Sequence, residues 1–229
     1  MNSGALLISC CLLTLLCEGK TRANDTSISG VGGSVVALRT EHSSVQMVRE
    51  TVRLDLYKGY YETTADFVFK NHGSTRTVRM GFPESGSGEG KPGTIKNFWT
   101  SVDGERVKAQ RIRTEHSEEY YTAYWVKSVP FDKNGERHVR VHFRTEYGSG
   151  IGGTLASYDF TGGNWRGKVR ESVLIITPHR GAPLLTFVQT EIPGHRKLLA
   201  RQDASKLRRY VWRMWEAEAP LLLSERERK

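Results

Sequence analysis

From Val52 onward the apolar residues of this chain recur at every second position, and that period limits what the chain can become. Val52, Leu54 and Leu56 alternate with Arg53, Asp55 and Tyr57. After the short turn Lys58-Gly59-Tyr60, the alternation resumes as Tyr61, Thr63, Ala65, Phe67 and Phe69 against Glu62, Thr64, Asp66 and Lys70. Successive side chains of a strand point to opposite faces, so this pattern predicts a β-hairpin with one face buried. Asn71-His72-Gly73-Ser74 turns the chain into Val78, Met80 and Phe82, with Thr77 and Arg79 outward. Asp103-Gly104 between Ile95–Val102 and Val107–Arg113 predicts a second hairpin. Further strands are expected at Tyr120–Val129, His138–Tyr147, Val169–Thr177 and Leu184–Thr190. Val173–Ile176 is apolar on both faces and reads as central. Turn residues recur at short spacing with no long amphipathic helix between them, which predicts an all-β, antiparallel β-sandwich with hairpin connections. Residues 198–215 fit either element. Ala200, Ala204, Leu207, Val211 and Met214 form a helical stripe, whereas the aromatic enrichment at Tyr210–Trp215 favours a final strand.

The 3 cysteines, Cys10, Cys11 and Cys17, all lie in an apolar run from Ala5 to Cys17. The run has the length of a signal-peptide core and falls short of the about 20 residues that a membrane helix needs. Cleavage after Ala23 would put Thr21 and Ala23 at the small-residue positions, although the segment before the run has no Lys or Arg. Leu15-Leu16-Cys17 also offers a lipidation box, with a bulky Leu16 where a small residue is preferred. The expected organisation is a signal peptide at 1–23, a disordered linker at 24–33, a β-sandwich domain at 34–220 and a charged tail at 221–229. Localisation would then be periplasmic or extracellular, with no membrane-spanning segment after cleavage and no thiol chemistry in the mature part.

The formal charge of +9 falls to about +8 once Glu18, Lys20 and Arg22 leave with the signal. An exported basic protein can meet another envelope protein, an anionic polymer or a glycan. Most of its Arg and Lys interleave with Glu and Asp, which also suits a plain solvated surface, and no nucleic-acid partner is expected. The densest basic cluster is Arg196, Lys197, Arg201, Lys206, Arg208, Arg209 and Arg213, opposed only by Asp203.

Patterns with known chemistry are thin. Gly148 to Gly153 satisfies the dinucleotide pattern of glycines, but strand-like residues follow where a helix N-terminus is required, so a flexible loop is expected. Gly90-Lys91 lacks the Ser or Thr and the earlier glycine of a phosphate-binding loop. His138 and His142 share a strand face about 13 Å apart, too far to hold one metal ion. Glu118 and Glu119 are adjacent and cannot flank one glycosidic bond. No serine sits in a nucleophile elbow before a helix. The expectation is no enzyme, no cofactor and no metal. Aromatics are the better candidates. Tyr120, Tyr121, Tyr124 and Trp125 crowd six residues, and Trp165 stands in a Gly-rich turn. They either form an exposed platform for sugar rings or a partner chain, or fill the core by turns. Tyr120, Tyr121, Trp165, Arg208 and Arg209 are therefore the candidate binding surface.

Several motifs carry a resemblance. Phe67-Val-Phe-Lys-Asn71, Met80-Gly-Phe82-Pro83 and Asn97-Phe-Trp99 before Val102-Asp-Gly104 resemble landmarks of an exported bacterial domain of unknown function. Tyr124-Trp125 through Phe131, Thr161 through Gly167 and Tyr210-Val-Trp212 through Pro220 resemble its second half. The first half is also remotely similar to the β-sandwich VIT domain of inter-α-trypsin inhibitor heavy chains. The resemblance spans about Val45 to Pro220. It implies a β-sandwich and no catalytic residues, hence a non-catalytic module for protein interaction or envelope structure. Carbohydrate or anionic-polymer binding is the alternative, and a hydrolase has no support.

Overall fold

The computed structural model describes residues 36–37, 44–85, 95–113, 121–150, 153–161, 165–190, 208–215 and 218–225. The expected signal peptide, the linker, Tyr120, Glu118 and Glu119 lie outside these residues. So does most of the basic cluster. The described residues hold strands and no helix: β1 (Val36–Ala37), β2 (Val45–Leu56), β3 (Tyr60–Asn71), β4 (Arg76–Ser85), β5 (Lys96–Val102), β6 (Glu105–Val107), β7 (Gln110–Arg113), β8 (Tyr121–Phe131), β9 (Glu136–Glu146), β10 (Gly148–Gly150), β11 (Gly153–Thr161), β12 (Val169–Pro178), β13 (Leu185–Thr190), β14 (Arg208–Trp215) and β15 (Glu218–Glu225).

A seven-stranded sheet in the order β14-β12-β2-β3-β9-β5-β6 forms one layer. Two four-stranded sheets, β1-β4-β8-β7 and β10-β11-β15-β13, face it. The period-two pattern sets which face is buried. Val52, Leu54, Leu56, Ala65, Phe67, Phe69, Val139, Val141 and Phe143 all turn inward and are essentially inaccessible. Both smaller sheets pack on this one face. Phe82 of β4 meets Phe143 of β9 at 5.3 Å between ring centroids, and the Tyr158 hydroxyl of β11 donates to Glu50 Oε1 of β2 at 3.0 Å. The result is a β-sandwich.

Asn71, fully buried, ties three segments at one corner. Its Oδ1 accepts from Ser44 Oγ (2.7 Å) and from the Gly73 amide (3.0 Å), and its Nδ2 donates to the carbonyls of Ser74 (2.7 Å) and Asp132 (2.9 Å). Gly73 has to be glycine here, because an added Cβ would lie 2.9 Å from Ser44 Cβ.

Several expectations are corrected. The second arm of the Asp103-Gly104 hairpin is not one strand. Only Glu105–Val107 pairs with β5, and after Lys108-Ala109 the chain crosses to pair Gln110–Arg113 with β8 in the other layer. Pairing is not wholly antiparallel, since β12 runs parallel to β2 from Glu171↔Arg49 to Pro178↔Leu56. Gly148–Gly150 and Gly153 are not a loop but pair as a hairpin, Gly148↔Leu155 to Gly150↔Gly153. Residues 221–225, expected in a tail, belong to β15, which lies between β11 and β13. Residues 208–215 form a strand, as the aromatic enrichment favoured, paired with β12.

One core position carries a cost. Lys127 of β8 lies opposite Met80 and follows the inward parity of Trp125 and Val129. It is 4% exposed, and its Nζ has no hydrogen-bond partner. Burial pushes its pKa from the ordinary 10.5 to about 7. Between those values the unfolded chain binds a proton that the folded chain does not, so stability rises with pH across that window. Below about pH 7 the full penalty applies. Urea unfolding at a series of pH values should therefore show stability climbing from pH 7 to 10 by up to about 1.4 kcal/mol per unit. Lys127→Met should unfold at higher urea at pH 7 and lose that slope. An unchanged slope in the variant would place the titration elsewhere.

Candidate functional site

The face of the large sheet opposite the core is polar, and the strand register orders it. Residues directly opposed on neighbouring strands share a face. One row therefore crosses six strands on the outside: Arg209, Ile175, Arg53, Thr64, His142 and Trp99. The adjacent row runs Val211, Val173, Thr51, Asp66, Arg140, Ser101 and Arg106. Arg144 and Glu62 oppose each other one row further on.

Aromatic rings fix two of these cations. Arg106 Cζ sits 3.5 Å from the centroid of the Trp99 ring, and the same indole stacks with His142 at 5.2 Å. Arg144 Cζ sits 3.5 Å from the centroid of Tyr60. Tyr60 stacks in turn on Tyr57 at 4.8 Å, and Tyr57 on His179 at 4.3 Å. Partners at such distances cannot share one face of Tyr60, so its ring is covered on both sides. These rings hold guanidinium groups in place, and little of their surface is left for a ligand.

The cations divide into paired and unpaired groups. Arg140 bonds Asp66, Arg213 bonds Glu171 and Lys96 bonds Glu146. Arg144 makes no ion pair with a described residue, and its buried Nε has no hydrogen-bond partner. Arg49, Arg53, Arg106 and Arg209 likewise make no ion pair with a described residue. A planar guanidinium held on a ring presents its edge donors in the fork that matches carboxylate, sulfate or phosphate. His142 shares a hydrogen bond with Thr64 Oγ1 at 3.0 Å. Its pKa is lowered, first by burial and further by Arg106, against the opposing pull of Glu62 and Asp55. It is a neutral hydrogen-bonding group near pH 7.

The candidates read from the sequence fare unevenly. Arg209 is exposed and lies in the outer row. Arg208 pairs with Ile176 one residue along, on the opposite parity. Tyr121 opens β8 opposite Ser85, in the other layer. Trp165 is corrected. It is only 5% exposed and packs against Phe69 at 4.6 Å, its turn fastened by the Arg166 amide to the Val45 carbonyl. It is a core residue and no ligand platform. Trp125 also turns inward, stacking on Phe98 at 4.4 Å and donating from Nε1 to Glu84. Trp99, Arg106, Tyr60 and Arg144 were missed. Tyr60 falls in the expected turn Lys58-Gly59-Tyr60 and Arg106 outside the expected arms Ile95–Val102 and Val107–Arg113, and the neighbours of all four lie on other strands.

A second basic place lies on the outer side of the β4-β8-β7 sheet, where a cavity of about 590 Å³ is lined by Arg79, Lys108, Gln110, Ile112, Val126, Lys127 and Ser128. Strand parity turns the Lys127 ammonium away from it, toward the core. This cavity has no aromatic support for its cations.

No protein-family model matches the chain, and no curated protein matches it in sequence. Among solved structures, it is similar to a "putative nutrient binding protein" from Legionella pneumophila, with 17% identity and a TM-score of 0.63, covering 88% of this chain and 73% of that one. Yeast LTA4 hydrolase in complex with bestatin aligns at 10% identity and a TM-score of 0.41, over 90% of this chain and 31% of that one. An M1 zinc metallopeptidase from Deinococcus radiodurans aligns at 7% and 0.40, over 82% of this chain and 43% of that one. The Legionella likeness is one of fold, and the two peptidase likenesses carry no argument.

The proton NMR titration of His142 should give a midpoint below the ordinary 6.5, and Arg106→Gln should move it upward. A midpoint at or above 6.5 in the wild type would contradict the described packing of this ring.

Proposed function

We propose that the protein is an exported, non-catalytic β-sandwich module that binds an anionic ligand on the outer face of its seven-stranded sheet. The observation that carries this reading is Arg144, a guanidinium clamped on Tyr60 with no carboxylate partner among the described residues. Arg106 on Trp99 repeats the arrangement. Unpaired cations held in one geometry lose little side-chain freedom when an anion arrives, which favours affinity. Neutral sugar stacking has less support, because the rings on this face are already covered. Export rests on the N-terminal apolar run. The likeness to exported β-sandwich domains and, remotely, to VIT domains fits an interaction role for the same chain.

The test is retention on immobilised dextran sulfate at low salt, read as the salt concentration of elution. The double variant Arg106→Ala/Arg144→Ala should elute much earlier, with a dissociation constant raised about tenfold for each arginine removed, as charge-assisted hydrogen bonds of about 1.5 kcal/mol imply. Arg79→Ala/Lys108→Ala removes the same charge from the cavity on the other layer and should elute close to wild type. Equal loss in the two double variants would reduce the effect to net charge and overturn the proposal.

A further inference from the structure

The cavity on the outer side of the β4-β8-β7 sheet has walls that the strand register lines up. Arg79 lies directly opposite Ser128, and Gln110 directly opposite Val126. Carrying the β7–β8 register two residues back from Gln110, through the Lys108-Ala109 crossing, sets Lys108 level with Ser128. Arg79, Ser128 and Lys108 therefore form one row, with two cations on neighbours of β8 about 9.6 Å apart and a hydroxyl between them. The next row holds Val126 and Gln110, and Ile112 lies in the row after that, opposite Tyr124. Arg79, Lys108, Gln110, Ile112, Val126 and Ser128 all line the cavity, whose volume of about 590 Å³ is that of a site for a small organic molecule.

Charge and polarity divide the cavity into two ends. Arg79 is half-buried and Lys108 exposed, and neither makes an ion pair with a described residue. No carboxylate stands at an outward position of β4, β8 or β7 among the described residues, so two positive charges go uncompensated. The large sheet differs, because Asp66 and Glu171 take up cations on its outer face. A phosphate monoester carries about −1.5 to −2 charge at pH 7 and three strong acceptor oxygens. The Arg79 fork suits two of those oxygens, and the Lys108 ammonium suits the third, with the Ser128 hydroxyl as a further donor. A carboxylate would leave one of the two cations unneutralised. Away from this end the lining is apolar. Val126 is 8% exposed, and Ile112, at 37%, is one of the two exposed large hydrophobics among the described residues. Covering that surface with an apolar group is favourable, and a bare phosphate cannot do it. We infer that this cavity binds a small phosphate monoester with an apolar organic part. Its phosphate lies between Arg79 and Lys108 over Ser128, and its body rests on Val126 toward Ile112.

This site is separate from the outer face of the large sheet. Dextran sulfate carries singly charged sulfates and no apolar body, so the cavity adds little to its retention. Calorimetric titration of the full chain at one salt concentration would compare phenyl phosphate, inorganic phosphate and benzoate. Phenyl phosphate should bind at least about tenfold tighter than either of the others. Arg79→Ala/Lys108→Ala should weaken phenyl phosphate by about tenfold or more. Lys133→Ala/Arg180→Ala removes the same charge from exposed positions elsewhere and should bind it as the wild type does. Ile112→Ser, at an exposed position, should weaken phenyl phosphate several-fold and leave inorganic phosphate as weak as before. Cosedimentation with phosphatidylcholine vesicles holding phosphatidic acid, if lost in Arg79→Ala/Lys108→Ala, makes the source a lipid headgroup. Otherwise the source is a free ester, and either result keeps the site. If phenyl phosphate is not bound, if benzoate or inorganic phosphate binds as tightly, or if the folded Arg79→Ala/Lys108→Ala variant binds it unchanged, the inference falls whatever dextran sulfate does.

Discussion

Everything in this fold depends on one continuous apolar surface, the inner face of the seven-stranded sheet. Beyond a bulge between Met47 and Arg49, strand parity holds from β12 across β2 and β3 to β9, so Leu174, Val52, Ala65 and Val141 stand in one row on the same side. A slip of one residue in any pairing would send an apolar set into water and charges inward. The two smaller sheets divide this surface between them. Phe82 and Met80 cover one part, and Tyr158 and Phe160 contribute to covering the rest. Asn71 holds the corner where the β3–β4 and β8–β9 turns and the start of β2 meet, and its hydrogen bonds fix the register from which the inward set follows.

The outer face inherits its order from the same register. No second layer covers it among the described residues, so its chemistry is what the odd or even positions leave over: arginines, carboxylates, hydroxyls and a few rings. The rings do not behave as a ligand platform. Tyr57, Tyr60 and His179 form a stack that ends on Arg144, and Trp99 sits between the chemistry of His142 and Arg106. A guanidinium over an aromatic ring keeps its donors while losing much of its freedom, and an aromatic so used is no longer available for stacking on a sugar or a base.

The sequence was informative wherever one strand sufficed. Alternation at Val52–Phe69 revealed both the hairpin and its buried face, and Asp103-Gly104 marked a real turn, with both residues at positive φ (52° and 89°). It was uninformative where two distant strands decide the outcome. The crossing at Lys108-Ala109 cannot be read from the pattern, because Gln110–Arg113 alternates as well in either layer. For Trp165, between glycines, an exposed platform and a place in the core stayed equally open, and it is Phe69 and Val45, more than ninety residues earlier, that close over it. Of the site, Arg53 and Arg209 could be seen as outward or basic residues, but their common row with His142 and Trp99 is a property of pairing alone.

The parallel partnership of β12 with β2 has a consequence of its own. Arg49 and Glu171 meet across 122 positions of chain, and β12 then carries β14 on its far side. During synthesis β2 must wait, one ladder unsatisfied, until most of the polypeptide exists, and closing so long a loop is entropically slow. An open edge of that length invites pairing with another copy in the interim. A nascent chain of this kind gains from being kept extended until its later strands are made.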